Sequence, residues 1–256
     1  MTKKRKTISL LLIFIIVISV FVASACSSEK DSITGLSYGD FVSGLDSGKW
    51  DIRVAVYIEG DQSSVWVYNQ NFDEYTGPSA LRVNDEELEL GYCCDNCNGY
   101  WSFFTFIEGN TYNLSLLNAN QTREVNIRVP NQVSGSSTQA FNPANPFTLN
   151  WSMERNTDVQ GVFVEWNVDE TIIKAINIAP NQRTYTILAN TVPQDSKQNF
   201  IAVDCLNYVV YGEVIFYAIT EHIFVEHDPD ISNRNNNLNC RDRANRALKL
   251  IHNSKL

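Results

Sequence analysis

The sequence predicts an all-β protein whose body is two tandem β-sandwiches, and three observations carry that expectation. From Trp50 onward apolar and polar residues alternate with a period of two, the pattern of half-buried strands. Gly, Asn and Asp clusters interrupt the alternation about every ten residues, the spacing of short antiparallel strands. No stretch between residues 50 and 226 sustains a helical period with caps.

The chain opens with a basic segment, Lys3-Lys4-Arg5-Lys6, followed by an apolar run from Ile8 to Ala25 broken only by Ser9, Ser19 and Ser24. About 18 apolar residues barely span a bilayer. Length alone therefore leaves three readings open: an uncleaved anchor, a plain secretory signal and a lipoprotein signal. Ala23-Ser24-Ala25-Cys26 resembles a bacterial lipobox, with Ala where that family prefers Leu three residues before the cysteine. The resemblance implies that residues 1–25 are a removable lipoprotein signal peptide and that Cys26 receives diacylglycerol and a palmitate-type chain. It places the body outside the cytoplasm, lipid-anchored in a bacterial cell envelope, at the outer membrane or cell surface in a Gram-negative. All three readings keep the basic end inside and export the remainder of the chain. Residues 26–48, beginning with the polar Ser27–Ser32, are expected to be a flexible tether.

Composition narrows the partner. The chain has 256 residues, 44% hydrophobic and 19% charged, which excludes collagen-like, mucin-like and wholly disordered classes. Its net charge of −9 includes four basic residues of the leader; without residues 1–25, 16 basic side chains face 29 acidic ones, or −13. An acidic body of this size argues against nucleic-acid binding.

The first sandwich is expected over 49–130. Trp50, Ile52, Val54, Val56 and Ile58 share one strand face, and Val65–Tyr68 follows after Gly60-Asp61. Leu81 and Val83 lead through Asn84-Asp85 to Leu88 and Leu90, a hairpin pattern. Trp101–Phe106, Tyr112–Leu117 and Val125–Val129 complete the unit. Residues 131–146, rich in Ser, Asn and Pro, read as a linker. The pattern restarts over 147–226 with Phe147, Leu149 and Trp151, then Val162, Val164 and Trp166. Further strands are read at Ile172–Ile178, Tyr185–Leu188, Phe200–Cys205, Val209–Tyr211 and Val214–Val225. Both units have the size of immunoglobulin-like sandwiches. The first resembles the immunoglobulin-like modules of bacterial surface lipoproteins. The second resembles a fibronectin type III module through Thr148-Leu149-Asn150-Trp151-Ser152, Val164-Glu165-Trp166 and Tyr185-Thr186-Ile187-Leu188. A single jelly roll spanning the linker is the alternative. Residues 227–256 read as an Asn-rich connector and a short basic amphipathic helix, with Ala244, Ala247, Leu248 and Ile251 on one side.

Candidate chemistry is sparse. Cys93, Cys94 and Cys97 lie within five residues of a loop, and Cys205 and Cys240 stand apart. Disulfides suit an exported protein, with Cys94–Cys97 and Cys205–Cys240 the pairings to test, while a soft-metal site or a redox pair are the alternatives. With Cys26 lipidated the remaining five are odd, so at least one is free, intermolecular or metal-bound. His222, His227 and His252 lack nearby nucleophiles in the sequence and read as surface or edge residues. Asp228-Pro229-Asp230 begins like a calcium loop, but Asn233 and Asn239 stand where that loop wants Gly and a bidentate Glu. Tyr100, Trp101 and Phe103 are the candidate glycan contacts, since aromatic residues fall on both faces of that strand. No catalytic residue, metal site or cofactor is assigned. The chain is read as a non-enzyme, a membrane-anchored binding or envelope-assembly module whose partner is another envelope protein or a glycan. A carbohydrate-binding lipoprotein and a metal-binding protein using the Cys93/Cys94/Cys97 loop are the alternatives.

Overall fold

The computed structural model describes residues 35–59, 62–69, 71–72, 77–92, 99–118, 121–167, 171–196 and 198–227. The leader with Cys26, the cysteines at 93, 94, 97 and 240, and the predicted C-terminal connector and helix lie outside them.

The described body is all-β apart from one short helix, α1 (Tyr38–Asp46). One eight-stranded sheet runs through the whole body. Its strands are β1 (Ile52–Glu59), β2 (Gln62–Tyr68), β5 (Gly91–Tyr92), β6 (Gly99–Phe103), β11 (Val159–Asn167), β12 (Thr171–Ile178), β14 (Gln198–Tyr211) and β15 (Val214–His227). They lie in the order β12-β11-β14-β15-β1-β2-β6-β5. Two smaller sheets pack side by side on one face of this sheet. The first is formed, in spatial order, by β4 (Glu86–Glu87), β3 (Ala80–Val83), β7 (Thr111–Asn118) and β8 (Gln121–Arg128). The second is formed by β13 (Thr184–Ile187), β10 (Phe147–Ser152) and β9 (Ser134–Ser137). Three strands over four make this second sandwich immunoglobulin-like in layout, with antiparallel neighbours throughout.

Each sandwich has its own core. Val54, Val56, Val65 and Val67 meet Leu81, Leu114, Leu116 and Ile127 in the first; Val162, Val164, Ile201 and Val203 meet Phe147, Leu149 and Ile187 in the second. The hairpin of β14 and β15 joins them. β15 lies antiparallel to β14 and parallel to β1, with Val54 opposite Phe216 and Val56 opposite Ala218. Val214, Phe216 and Ala218 therefore complete the first core, although in sequence they fall within the second unit, 147–226. Asn207 tightens the junction: its amide donates to the Arg128 carbonyl at 2.7 Å and its Oδ1 accepts from the Asp158 N–H at 3.0 Å.

Three further features differ from the sequence reading. The 26–48 tether contains α1, capped by Ser37, whose Oγ accepts from the Asp40 N–H at 3.1 Å. Tyr38, Phe41, Val42 and Leu45 form its apolar face and pack on the outer face of the large sheet, the face turned away from the two small sheets. A nine-residue helix is marginal alone in water, so this docking is what holds it. The 131–146 linker contains β9, a polar edge strand paired to β10. Gly135 is required there: a Cβ would come within 2.5 Å of Phe224 and 2.6 Å of His222. Trp50, finally, packs with α1 on the outer face, against Phe41 and under the Lys49 ammonium, instead of sharing the face of Ile52.

Candidate functional site

The large sheet carries most of its chemistry on the outer face. At the β6 end lies a strip of rings. Register sets Trp66 opposite Trp101 and Ser64 opposite Phe103. Tyr68 stacks on Trp66 at 5.7 Å and 8°, Trp66 on Trp101 at 5.7 Å and 23°, and Phe103 meets Trp101 edge-on at 4.7 Å. The Trp66 indole N–H donates to Ser64 Oγ at 2.9 Å. Gly99 leaves room for the Tyr68 ring, which a Cβ there would meet at 2.7 Å. The strip grades from buried Trp66 through half-buried Trp101 to Phe103, which is 60% exposed. Two of the three predicted contact residues, Trp101 and Phe103, thus share one surface. Tyr100 does not. It points to the opposite face, where it packs edge-on against Phe72 and over Gly77, as a wall of the first core.

Next along this face, Tyr57 and Tyr217 share a hydroxyl contact at 3.2 Å, and burial pushes both phenols above their ordinary range. Beneath α1 lies a polar row formed by Asn177, Gly161, Asp204 and Glu221, side by side across β12, β11, β14 and β15. Tyr38 donates its hydroxyl to Asp204 Oδ2, and the Gly39 N–H donates to Asn177 Oδ1 at 2.6 Å. Gly161 makes the socket, because a Cβ there would clash with the Tyr38 ring. Asp204 as a residue is half-buried, but its Oδ1 is sealed from solvent and has no hydrogen-bond partner. Burial pushes its carboxyl from 3.8 up to about 6, with the Tyr38 hydrogen bond pulling the other way. The Tyr38 phenol is raised by burial and by the neighbouring Asp204 and Glu221 charges.

A cavity of about 460 Å³ opens at the end of the second sandwich. Gln139, Gln194, Ser196 and Asn199 supply amides and hydroxyls, and Phe141 and Phe224 supply apolar walls. Phe141 is braced edge-on by Phe147 at 5.2 Å, and Phe224 by His222 at 4.8 Å. The His222 pKa is lowered, chiefly by burial.

Cys205 is the one candidate cysteine among the described residues. Alternation along β14 turns its side chain into the second core, where it is fully buried and free. Its Sγ lies 3.7 Å from Gln160 Oε1, and burial pushes the thiol up to about 12. It is a core residue, and among the described residues it has neither a disulfide nor metal-ligand geometry. Among the described residues no three His, Cys, Asp or Glu side chains gather as a metal site.

Sequence reasoning missed Tyr38, Gly161 and Asp204. The available signals were a glycine inside a strand, which marks a close approach, and a carboxylate inside the apolar run Phe200–Val210.

No protein-family model matches the chain, and no curated protein matches it. Among solved structures it has limited similarity to chicken CNTN1 FN1-FN3 domains, at 12% identity and a TM-score of 0.18, covering 70% of this chain and 66% of that one. The human OSCAR ligand-binding domain is similar at 10% identity and a TM-score of 0.19, covering 69% of this chain and 99% of that one.

Proposed function

We propose that the protein is a non-catalytic binding module, held outside the bacterial cytoplasmic membrane by lipid on Cys26 and offering the open end of its large sheet to another envelope component. The observation that carries the binding reading is Phe103, 60% exposed beside half-buried Trp101 at the end of a stacked strip. Such a ring gives a partner a rigid apolar anchor with little entropy left to lose. The leader and the small-residue approach to Cys26 support the anchor. Two acyl chains, at about 0.8 kcal/mol per buried methylene, hold a protein stably on a bilayer. The acidic body favours a neutral or basic partner surface. The test is Phe103→Ser in the full chain. Retention of the partner after detergent extraction is expected to fall at least tenfold while the urea midpoint stays unchanged; undiminished retention contradicts the reading. Radiolabelled palmitate incorporation that is lost in Cys26→Ser checks the anchor separately.

A carbohydrate ligand is the second reading, favoured by the cavity beside Phe141. Amides, hydroxyls and aromatic walls suit a neutral pyranose, whose hydroxyls need paired donors and acceptors and whose C–H face needs a ring. Neutral hexoses at up to about 50 mM are expected to shift backbone amides of the Ser137–Pro143 segment, and Phe141→Ala to remove those shifts. Shifts that persist in the variant contradict this reading.

A further inference from the structure

The contacts of α1 resemble a catch more than a permanent seam. Few groups hold it. Tyr38 enters the Gly161 socket, Phe41 packs edge-on against Tyr217 at 5.1 Å, the Leu36 N–H donates to the Tyr208 hydroxyl at 2.9 Å, and the Gly39 N–H reaches Asn177. The segment is bounded by glycines with positive φ, Gly35 at 93° and Gly48 at 67°, conformations in which glycine turns the chain without strain. The deepest contact, Tyr38 to Asp204, closes on a carboxyl whose second oxygen is sealed and unpartnered.

We propose that Leu36–Ser47 is a proton-sensitive latch on the body: docked, it covers the apolar outer face of the large sheet, and as pH rises its docking weakens and that face is more often uncovered. The latch rests on the docking geometry of α1.

The sign is set by the groups around Asp204. Tyr38 faces it from α1, and Glu221 lies opposite it on β15. β11 presents Gly161 and β12 presents Asn177, while Cys205 is next on its own strand, so none of the four residues of the row is a cation. An enclosed carboxyl in this row favours its proton, whereas an Asp on an uncovered sheet face has an ordinary pKa. Docking therefore binds a proton more tightly than release does. With 3.8 for the released state and about 6 for the docked one, the docking equilibrium weakens about tenfold between pH 5 and pH 7.5.

Amide hydrogen exchange of the full chain, corrected for intrinsic rates, tests the latch. The informative amides are those of α1, such as Phe41 and Ser47, whose N–H groups bond the Ser37 and Ser43 carbonyls. Their protection is expected to fall about tenfold from pH 5 to pH 7.5, while β2 amides in the same sample stay protected. Asp204→Asn keeps the pH 5 protection at both values. Gly161→Ala, which fills the Tyr38 socket, loses α1 protection at both. A wild-type α1 whose protection does not change with pH, or an Asp204→Asn chain that retains the tenfold change, overturns the proposal. Neither outcome depends on lipid, so failure of the latch and failure of the palmitate test are separate results.

Discussion

Asp204→Asn is expected to stabilise the protein at neutral pH, against the usual effect of removing a hydrogen-bonded carboxylate. Raising a carboxyl from 3.8 to about 6 makes its ionised form cost about 3 kcal/mol at a pH well above 6. Asn is nearly isosteric and still accepts from Tyr38, but a neutral acceptor is weaker by about 1 kcal/mol. The balance at pH 7.5 is about 2 kcal/mol in favour of the variant. Because the folded state holds the proton more tightly than the unfolded chain, the contribution of Asp204 is fully present below 3.8. It declines as pH rises and is lost above about 6. Wild type thus loses about 2 kcal/mol between pH 4 and pH 7.5 that the variant keeps. Urea unfolding followed by tryptophan fluorescence at the two pH values measures both quantities. If α1 releases before the body unfolds, the loss is capped at the docking energy and the remainder appears in α1 exchange. A variant less stable than wild type at pH 7.5, with the same pH difference, would refute the buried-carboxyl argument.

Two further outcomes test the fold that positions these sites. Phe216→Ala, in the half of β15 that completes the first core, is expected to cost about 3–5 kcal/mol and to shift the unfolding of both sandwiches together; tryptophan-specific probes at Trp66 and Trp166 reporting separate midpoints would contradict the shared sheet. Cys205 is expected to resist a thiol reagent at pH 8 in the native protein and to react once urea opens the second core, as burial and its raised pKa require. Native reactivity in a chain whose other cysteines are replaced by Ser would place the side chain outside the core.

The strands were legible in the sequence wherever one face is buried and the other wet. Ala80–Val83 and Thr111–Asn118 alternate cleanly, and Asn84-Asp85 sits in the hairpin turn with φ of 49° and 69°. Val214–Ile219 was legible in another way, because a continuous apolar run means burial on both faces. Its partner was not. Parallel pairing of β15 with β1 joins residues some 160 positions apart and leaves no local mark in either strand. α1 escaped notice because it is nine residues long and carries Gly39 and Gly44, although Tyr38, Phe41, Val42 and Leu45 keep a helical period. Gly44 is there for packing, since a Cβ would meet Trp50 at 2.7 Å. At the candidate site, alternation alone puts Tyr100 on the face opposite Trp101 and Phe103, but which of the two faces the core covers is set by the pairing of β6 with β2. Ring stacking and the exposure of Phe103 are tertiary facts. The Asp204 row draws its four residues from four strands, each supplying one position that looks ordinary by itself.

The most direct test of a binding function is a photo-crosslinking amino acid placed at position 103 of the full chain in its own envelope. Leu188, 71% exposed and away from the aromatic strip, serves as the control position. A discrete crosslinked product at 103 that is absent at 188 is the predicted result. Equal products at the two positions, or none at 103, would contradict the claim that the open end of the large sheet is the surface this protein presents to its partner.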